Sequence, residues 1–243
     1  MSDYRARIYE RYSSNFQDKG PVFNTNSAIR WGKAYDWYFR NWIPEDKNIR
    51  IADLGCGSGF LLHFFKERGY TNLYGVDMSL EQVTLSRQVI EKISHDNVLH
   101  FLQINEHAFD LITALDLIEH FNKDEVLTFL DGCYNALRPG GRLILQTPNA
   151  ESPFASSVRY GDFTHEVSFQ LNSLSYLLRL SSFANITSRE QGPIPIGYSL
   201  TSTLRFTLWQ IFKYLLRFYN IVETGGASSS IFTRVFLISG VKT

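Results

Sequence analysis

The sequence is poor in cysteine and carries no excess charge of either sign. Its 243 residues include two cysteines, Cys56 and Cys133, too few for a disulfide framework or a zinc site built from cysteine. The 24 basic residues balance 24 acidic ones, so no long-range field attracts nucleic acid. The first twelve residues, MSDYRARIYERY, carry charges where a secretory signal requires an apolar run. We therefore expect a cytoplasmic protein that does not bind nucleic acid.

One long apolar run is interrupted by charge. The segment 203–222, TLRFTLWQIFKYLLRFYNIV, is long enough to span a bilayer, but Lys213 lies near its middle. A basic residue there costs about 2.5–3.5 kcal/mol on insertion. Arg205, Lys213 and Arg217 fall on one side of a helix, so the segment predicts an amphipathic helix. It would pack on its own domain, form a homodimer, or contact the inner membrane face peripherally.

Strand and helix patterns alternate along most of the chain, which is typical of an α/β fold with a parallel sheet between helices. The predicted strands are 49–54, 72–77, 97–102, 109–115, 142–147 and 231–239. The predicted helices lie near 59–68, 79–93, 123–137 and 172–182, with one or two more in residues 1–45. Segment 192–200, rich in proline and glycine, predicts an irregular insertion.

A glycine-rich loop follows the first predicted strand. The residues Asp53-Leu54-Gly55-Cys56-Gly57-Ser58-Gly59-Phe60 lie at a strand-to-helix junction, where glycines let the backbone turn tightly and approach a ligand. A dinucleotide fingerprint would need its third glycine at position 60, where Phe60 stands. Asp53 would repel a diphosphate but suits an ammonium or sulfonium group.

A second carboxylate ends the second predicted strand. Asp77 follows Gly59 by 18 residues, close to the spacing at which a carboxylate binds ribose hydroxyls in doubly wound folds. The loop and the two aspartates therefore favour a nucleoside with a cationic amino-acid tail.

These motifs, with Gly75-Val76-Asp77 and Leu137-Arg138-Pro139-Gly140-Gly141 further along, resemble the class I methyltransferases that use S-adenosylmethionine. The resemblance implies a doubly wound, mostly parallel seven-stranded sheet of Rossmann-like type, with an N-terminal helical lid and a C-terminal helical insertion. It also implies one methyltransferase domain over residues 1–243, with a helical cap at 1–45, a cofactor-binding core at 46–150 and an acceptor side at 151–243.

The same resemblance assigns the cofactor site, with S-adenosylmethionine as methyl donor and S-adenosylhomocysteine as product. It implies that Asp53 holds the loop and the amino group, that Asp77 binds the ribose and that Met78 flanks the adenine. Gln103 is the nearest candidate where the family often has an acidic residue near the adenine amino group. The other expected cofactor contacts are Gly55, Cys56, Gly57, Gly59 and Leu115.

A run after the fourth predicted strand carries candidate catalytic residues. Asp116, Glu119 and His120 share a face of a helical turn at the carboxyl edge of the sheet, where ligands bind. The run resembles that of the quinone-type O-methyltransferases. Its carboxylates and imidazole have the donor atoms for Mg²⁺ or Mn²⁺. We favour the alternative, in which Glu119 and His120 order the floor of the site without a metal.

A polar loop after the fifth predicted strand carries His165. Its sequence, Gly-Asp-Phe-Thr-His-Glu, resembles the Thr-His loop of several small-molecule O-methyltransferases. This makes His165 the first candidate for a general base, since a neutral imidazole accepts a proton at pH 7. Aromatic residues of the N-terminal cap are candidates for a lid over the cofactor: Tyr9, Tyr12, Trp31 and Tyr35.

A wider resemblance, in 75–79, 147–150, the His165 loop and 223–225, is to methyltransferases of bacterial cell-surface polysaccharide synthesis. It implies a small-molecule or glycan acceptor that is methylated on a sugar hydroxyl, in a lipid-linked or a nucleotide-linked form. Two alternatives stay open. One is the same donor with a quinone, phenol or amine acceptor, and the other is a module that binds S-adenosylmethionine without transferring its methyl group.

Overall fold

The computed structural model describes residues 3–10, 22–195, 199–226 and 229–243. Seven strands form one sheet: β1 (Arg50–Leu54), β2 (Asn72–Asp77), β3 (Ile93–His95), β4 (Phe109–Leu115), β5 (Leu137–Pro148), β6 (Phe183–Glu190) and β7 (Val235–Lys242). Their order is β3-β2-β1-β4-β5-β7-β6. Strands β1 to β5 pair in parallel, and β7 runs antiparallel to β5 and β6. The predicted doubly wound, mostly parallel sheet is confirmed.

Helices precede and connect these strands: α1 (Asp3–Tyr9), α2 (Thr25–Tyr38), α3 (Phe60–Glu67), α4 (Leu80–Ser86), α5 (Val98–Gln103), α6 (Lys123–Ala136), α7 (Ala155–Arg159), α8 (Leu171–Leu180) and α9 (Leu200–Thr224). A 3-10 turn spans Ile118–His120. The parallel strands place their carboxyl ends, and the loops that follow them, at one edge of the sheet.

The core lies on both faces of the sheet because successive side chains of a strand point in opposite directions. In β4, Leu111 packs with Phe39 and Phe64 of the α2 and α3 side. Its neighbour Ile112 packs with Phe129, on the α5, α6 and α8 side. Each such fully buried side chain contributes about 1.5–3 kcal/mol relative to an exposed one. The strand that carries Asp116 at its end is therefore held firmly between two apolar layers.

The prediction of a strand at 97–102 is wrong, because these residues form α5. Val98, Phe101 and Leu102 are buried, at the i, i+3, i+4 spacing of a helix face. Asn97 begins the helix, with its side chain accepting the N–H of Leu99 at 2.8 Å. The third strand is shorter and earlier, at β3. Strand β6 was missed altogether, and the last strand begins four residues later than predicted.

Helix α9 confirms the predicted amphipathic segment and extends it at both ends. None of its residues is buried. Its inward side meets β6, where Trp209 Nε1 donates to Glu190 Oε2 at 3.1 Å and Lys213 Nζ pairs with Glu190 Oε1 at 2.9 Å. Its outward side exposes large apolar residues: Leu204, Leu208, Ile211, Phe212, Leu215 and Phe218. Of the helices described, none is both long and apolar enough to cross a membrane.

Candidate active site

The glycine-rich loop joins β1 to α3 at the carboxyl edge of the sheet. Gly55, Gly57 and Gly59 have φ of 64°, 52° and 88°, a region that favours glycine. A Cβ on Gly57 would meet no described protein atom within 4 Å, and Gly57 lines a cavity. A Cβ on Gly59 would lie 3.2 Å from Ser86 in α4. Gly57 therefore leaves space for a ligand, whereas Gly59 permits close packing of the helix.

Asp77 ends β2 and holds this loop. Its Oδ2 accepts the N–H of Gly57 and its Oδ1 accepts the N–H of Ser79, both at 2.9 Å. Burial raises the pKa of Asp77, while these hydrogen bonds oppose the rise. Asp77 and its neighbour Met78 both line the cavity. The predicted ribose carboxylate is thus positioned beside the glycine backbone.

Asp53 lies beneath the loop and does not line the cavity. Its side chain is buried, with 3% of the residue exposed, and accepts the hydroxyl of Thr113 at 2.7 Å. Burial raises the pKa of Asp53 to about 7, an effect that Thr113 opposes and the charge of Asp77 reinforces. Cys56 is buried in the same layer, and its N–H donates to the carbonyl of Val76 at 3.0 Å. Both residues support the loop from below.

The adenine side of the predicted site is formed by the start of α5. Asn97, Val98 and Leu99 line the cavity, together with Leu115 at the end of β4. Gln103 lies at the far end of the same helix, is exposed, and is not among the residues that line the cavity. Gln103 lies away from the cavity because residues 98–103 form a helix. A strand would have placed Gln103 at the carboxyl edge of the sheet, whereas α5 leads the chain away from that edge.

The candidate catalytic residues of the two later segments come together in space. One ligating atom each from Glu119, His120 and His165 lies within 4.8 Å of the others. The two imidazole rings meet edge to face, with centroids 4.8 Å apart. The backbone carbonyl of Glu119 accepts the N–H of Glu166 at 2.8 Å, which fixes the His165 loop against the 3-10 turn. All three residues line the cavity.

The hydrogen bond of His165 determines which ring nitrogen is free. Its Nδ1 lies 3.1 Å from the carbonyl oxygen of Val158, which can only accept. Nδ1 therefore carries the proton in the neutral ring, and Nε2 holds the lone pair. Burial lowers the pKa of His165 below its ordinary value, so the neutral form predominates at pH 7. The geometry equips His165 to accept a proton.

His120 is held by a chain of hydrogen bonds that the sequence interpretation missed. Its Nδ1 lies 2.8 Å from the hydroxyl of Thr164, which donates its own proton to Asp162 Oδ1 at 2.7 Å. Burial, reinforced by the neighbouring His165, lowers the pKa of His120 to about 4. The sequence does contain a local indication of this chain, the Asp162-x-Thr164 pattern. Such a pattern favours a turn in which the aspartate side chain accepts the N–H two residues on, as Asp162 does from Thr164 at 2.8 Å.

The predicted metal candidates are only partly brought together. Glu119 is buried, its Oε2 accepts the hydroxyl of Thr147 at 3.0 Å, and burial raises its pKa, as does the charge of Asp116. Asp116 is not part of the Glu119–His120–His165 cluster. Its Oδ2 instead accepts a hydrogen bond from Gln146 Nε2 at 2.8 Å. Desolvation raises the pKa of Asp116 to about 6, and the hydrogen bond from Gln146 opposes this rise. Among the residues described, the cluster that could hold a cation contains His165 in place of Asp116.

Helix α1 lies at the cavity as part of the predicted lid. Arg5 and Tyr9 line the cavity, and Arg5 pairs with Glu125 at 2.7 Å and with Glu166 at 3.6 Å. Of the other lid candidates, Tyr35 is buried in the core and Trp31 stacks on it outside this cavity. Tyr12 lies outside the described residues. Arg5 was not singled out in the sequence because a lone arginine carries no motif.

One cavity of about 680 Å³ therefore contains both halves of the predicted site. Its volume falls within the roughly 300–1,000 Å³ of small-molecule sites. The open space beyond Gly57, the carboxylate of Asp77 and the apolar start of α5 fit the methionine part, the ribose and the adenine of S-adenosylmethionine.

Solved structures share this fold. A SAM-dependent methyltransferase from Archaeoglobus fulgidus has a TM-score of 0.66 at 17% identity, covering 96% of this chain and 99% of the other. A Haemonchus contortus phosphoethanolamine N-methyltransferase 2, solved in complex with S-adenosyl-L-methionine, has a TM-score of 0.58 at 14% identity, covering 96% of this chain and 60% of the other. The architecture is thus that of the S-adenosylmethionine-dependent methyltransferases.

The sequence comparison agrees at the level of family. The methyltransferase domain family matches residues 28–188, and the chain belongs to it. A ubiquinone biosynthesis O-methyltransferase of Pseudomonas fluorescens is 28% identical over 120 residues, or 45% of this chain and 50% of that protein. Its mitochondrial counterpart in Rattus norvegicus is 31% identical over 110 residues, or 42% of this chain and 31% of that protein. The match spans half or less of the length of these curated relatives.

Proposed function

We propose that this chain transfers the methyl group of S-adenosylmethionine to a hydroxyl group, and that the acceptor is a sugar used in surface-polysaccharide synthesis. The observation that carries the proposal is one cavity lined both by the glycine loop with Asp77 and by His165. The bound donor would supply an electrophilic methyl group. Helix α1, the core loops and the 161–169 loop line this same cavity, so we infer that residues 1–243 act as one methyltransferase domain.

The chain's own residues divide the work of binding the donor. The Gly57 backbone leaves room for the methionine part, Asp77 accepts hydrogen bonds from the ribose hydroxyls, and Asn97 to Leu99 pack beside the adenine. Asp53 acts from beneath, by holding Thr113 and the loop in place. Calorimetry with S-adenosylhomocysteine tests this half of the proposal: we expect binding to wild type and a clear loss for Asp77→Ala. Unchanged affinity in that variant would contradict the assignment.

His165 supplies the base in this proposal. As the acceptor oxygen bonds to the methyl carbon, the hydroxyl proton passes to Nε2 of His165, and the donor's carbon–sulfur bond breaks with its electrons on sulfur. Nδ1 remains bonded to the Val158 carbonyl, which stabilises the charged ring that results. Glu119 and His120 keep the His165 loop in position, through the Glu119 carbonyl and the edge-to-face ring contact.

The choice of a sugar rests on polar groups around the base. Arg5, Asp116 and Asp162 line the cavity near the histidines and can exchange hydrogen bonds with several hydroxyls. The sequence motifs that resemble methyltransferases of polysaccharide synthesis also favour a sugar acceptor. A second candidate is a quinol or phenol, favoured by the ubiquinone biosynthesis O-methyltransferases that match 45% of the chain.

Radiolabelled S-adenosylmethionine decides between these acceptors. We expect label in nucleotide sugars or isolated glycans and none in catechols or quinols. Label in the phenolic acceptors alone would replace the first candidate by the second. Binding of S-adenosylhomocysteine without transfer to any acceptor of either class would instead support a binding module.

We further propose that α9 places the enzyme on the inner membrane surface, where lipid-linked sugars are found. Its outward side exposes a continuous apolar face, while Lys213 and Trp209 on its inner side are anchored to Glu190. Flotation with anionic vesicles is expected to carry wild type but not a Leu208→Ser/Leu215→Ser variant. If the wild type stays unbound and elutes as a dimer that the variant loses, a second copy covers the helix instead.

A further inference from the structure

A second cavity of about 940 Å³ shares none of its described lining residues with the first. The described residues that line it come from five separated segments: α2, the loop after β5 (Ser152 and Phe154), residues 191–194 after β6, the first half of α9, and the approach to β7. The predicted irregular insertion contributes Gly192 to Ile194. Gly192 packs closely there, since a Cβ on it would lie 3.3 Å from Trp209 Nε1, and its carbonyl accepts the Tyr38 hydroxyl at 2.8 Å. Gly192 therefore packs this wall of the cavity closely against α2 and α9.

The charges on this second cavity are of one sign. Three of these segments contribute arginine or lysine: Arg30 and Lys33 from α2, Arg205 from α9 and Arg234 before β7. Among the described residues that line it, none is aspartate or glutamate. Glu190 lies nearby, but it is paired with Lys213 and does not line the cavity. In a chain of zero net charge, such a grouping concentrates positive potential in one place.

Guanidinium groups and flat aromatic surfaces occur together here. Arg30, Arg205 and Arg234 can each bind two oxygens of one anion, which is the arrangement that phosphate groups match. Trp31 and Trp209 offer faces on which a sugar ring or a base can stack. A single carboxylate would neutralise only one of these cations, whereas a diphosphate carries several negative charges on oxygens spaced to meet more than one arginine.

The second cavity is connected to the first by hydrogen bonds. Gln191 lines the second cavity, and its Nε2 donates to Gln146 Oε1 at 2.8 Å. Gln146 Nε2 in turn donates to Asp116 Oδ2 at 2.8 Å, and Asp116 lines the first cavity. Arg234 and Val235, adjacent in sequence, line one cavity each. Two glutamine side chains therefore connect the lining of the second cavity to Asp116 in the lining of the first.

We propose that the second cavity binds the diphosphate group of the acceptor, so that the substrate is a sugar carrying a diphosphate. This inference rests on the proposed sugar methylation and names its substrate class. The diphosphate oxygens accept hydrogen bonds from Arg205 and Arg234, and Arg30 closes the third side. The diphosphate belongs either to a nucleotide or to a lipid carrier, and both present the same anion to these arginines.

Binding of inorganic pyrophosphate, measured by calorimetry on the full chain without donor or acceptor, tests the anion site directly. We expect binding to wild type and at least about tenfold weaker binding to Arg205→Ala/Arg234→Ala, because two charge-assisted contacts are lost. Arg217→Ala is the matched control, since Arg217 is an exposed arginine of the same helix that does not line the cavity. Equal pyrophosphate affinity in the double variant and wild type would overturn the proposal.

Transfer assays then identify the source of the diphosphate. KM for a nucleotide diphosphate sugar, or for a lipid diphosphate sugar in micelles, should rise about tenfold in the double variant while kcat changes little. The affinity for S-adenosylhomocysteine should stay at the wild-type value, which also shows that the variant is folded. An unchanged KM for both diphosphate substrates would contradict the proposal. Pyrophosphate binding is measured without methyl transfer. It therefore tests the anion site even if the proposed methylation proves wrong.

Discussion

At the scale of single residues, the chemistry depends on which nitrogen of each histidine is occupied. The Val158 carbonyl accepts a hydrogen bond from Nδ1–H of His165, and the Thr164 hydroxyl accepts one from Nδ1–H of His120. Both rings are kept neutral by burial, which lowers their pKa values. They differ in surroundings, because His120 is hydrogen-bonded into the Thr164–Asp162 chain, whereas His165 lines the cavity and its Nε2 keeps the lone pair that can accept a proton.

Replacing His165 should separate transfer from donor binding. We expect His165→Ala to lower kcat by about 100-fold or more, the usual loss when a general base is removed. The affinity for S-adenosylhomocysteine should stay close to wild type, because His165 belongs to the acceptor half of the cavity. His100→Ala is the control, since His100 is exposed, pairs with Asp96 and is not among the residues that line the cavity. Near-normal turnover in His165→Ala would remove the proposed base.

Asp53 predicts an unusual dependence of stability on pH. Its pKa is about 7 in the folded protein against 3.8 for an ordinary aspartate, so between pH 8 and 6 only the folded state takes up the proton. By linkage, the free energy of unfolding rises as the pH falls through this window, by about 1 kcal/mol for this group.

Urea unfolding at pH 6, 7 and 8 tests this expectation against Asp53→Asn, which shares every other titrating group. The wild type should gain about 1 kcal/mol over the variant on going from pH 8 to pH 6. A constant difference between the two proteins across this range would show that Asp53 has an ordinary pKa.

At the scale of elements, the N-terminal helix α1 and the long helix α9 differ in how they are attached to the rest of the fold. Helix α1 is held across the cavity by the ion pairs of Arg5 with Glu125 and Glu166. Glu125 is itself fixed in the capping box that begins α6, where it accepts the N–H of Asn122 at 2.9 Å. Helix α9, in contrast, buries none of its residues and contacts the sheet through Glu190.

Loss of Arg5 should release α1 from the cavity. We expect Arg5→Ala to lower kcat/KM for the acceptor by about tenfold, because water then enters the site and the acceptor is held less firmly. Arg7→Ala is the matched control on the same helix, since Arg7 is exposed and does not line the cavity. Equal losses in both variants would show that α1 acts through general stability and not as a lid.

The exposure of α9 predicts that its apolar face adds little to the stability of the monomer. Leu208→Ser/Leu215→Ser should change the free energy of unfolding by less than about 0.5 kcal/mol per site. Leu174→Ser, in the fully buried face of α8, should cost about 2–5 kcal/mol and calibrates the measurement. A large loss in the α9 variant would mean that a second copy already covers this face in solution.

At the scale of the whole molecule, one sheet edge gathers groups from along the chain into two cavities of different charge. The first is lined by several carboxylates and neutral histidines, with Arg5 as the basic residue among its described lining, and suits a cationic donor. The second is lined by arginines and lysine and suits an anionic acceptor. Opposite charges on adjacent sites would keep the two ligands from exchanging places, since each is repelled by the other's site.

Transfer should proceed without a metal ion. The group that leaves the methyl carbon is a neutral thioether, which needs no Lewis acid, and Asp116 is hydrogen-bonded to Gln146 and is not part of the Glu119–His120–His165 cluster. We expect excess chelator to leave the rate within about twofold of its normal value. Loss of activity in chelator, restored by Mg²⁺ or Mn²⁺, would instead assign that cluster to a metal.

Local spacing in the sequence was enough to predict the glycine loop, Asp77 at the end of a strand, and the doubly wound sheet. These features depend on backbone geometry and on periodicity over a few residues. The same method failed at 97–102, where buried Val98, Phe101 and Leu102 have the spacing of a helix but a composition typical of strands. Gln103 was misplaced as a consequence.

The sequence by itself determined the class of ligand, because three glycines and an aspartate at fixed offsets leave few alternatives to an adenosyl donor. Only the tertiary structure decided which acceptor-side residues lie together. Val158 and His165, Thr164 and His120, and the arginines of the second cavity meet through packing of distant segments. Charge, proton position and burial depend on distances across the fold, and no spacing along the chain records those distances.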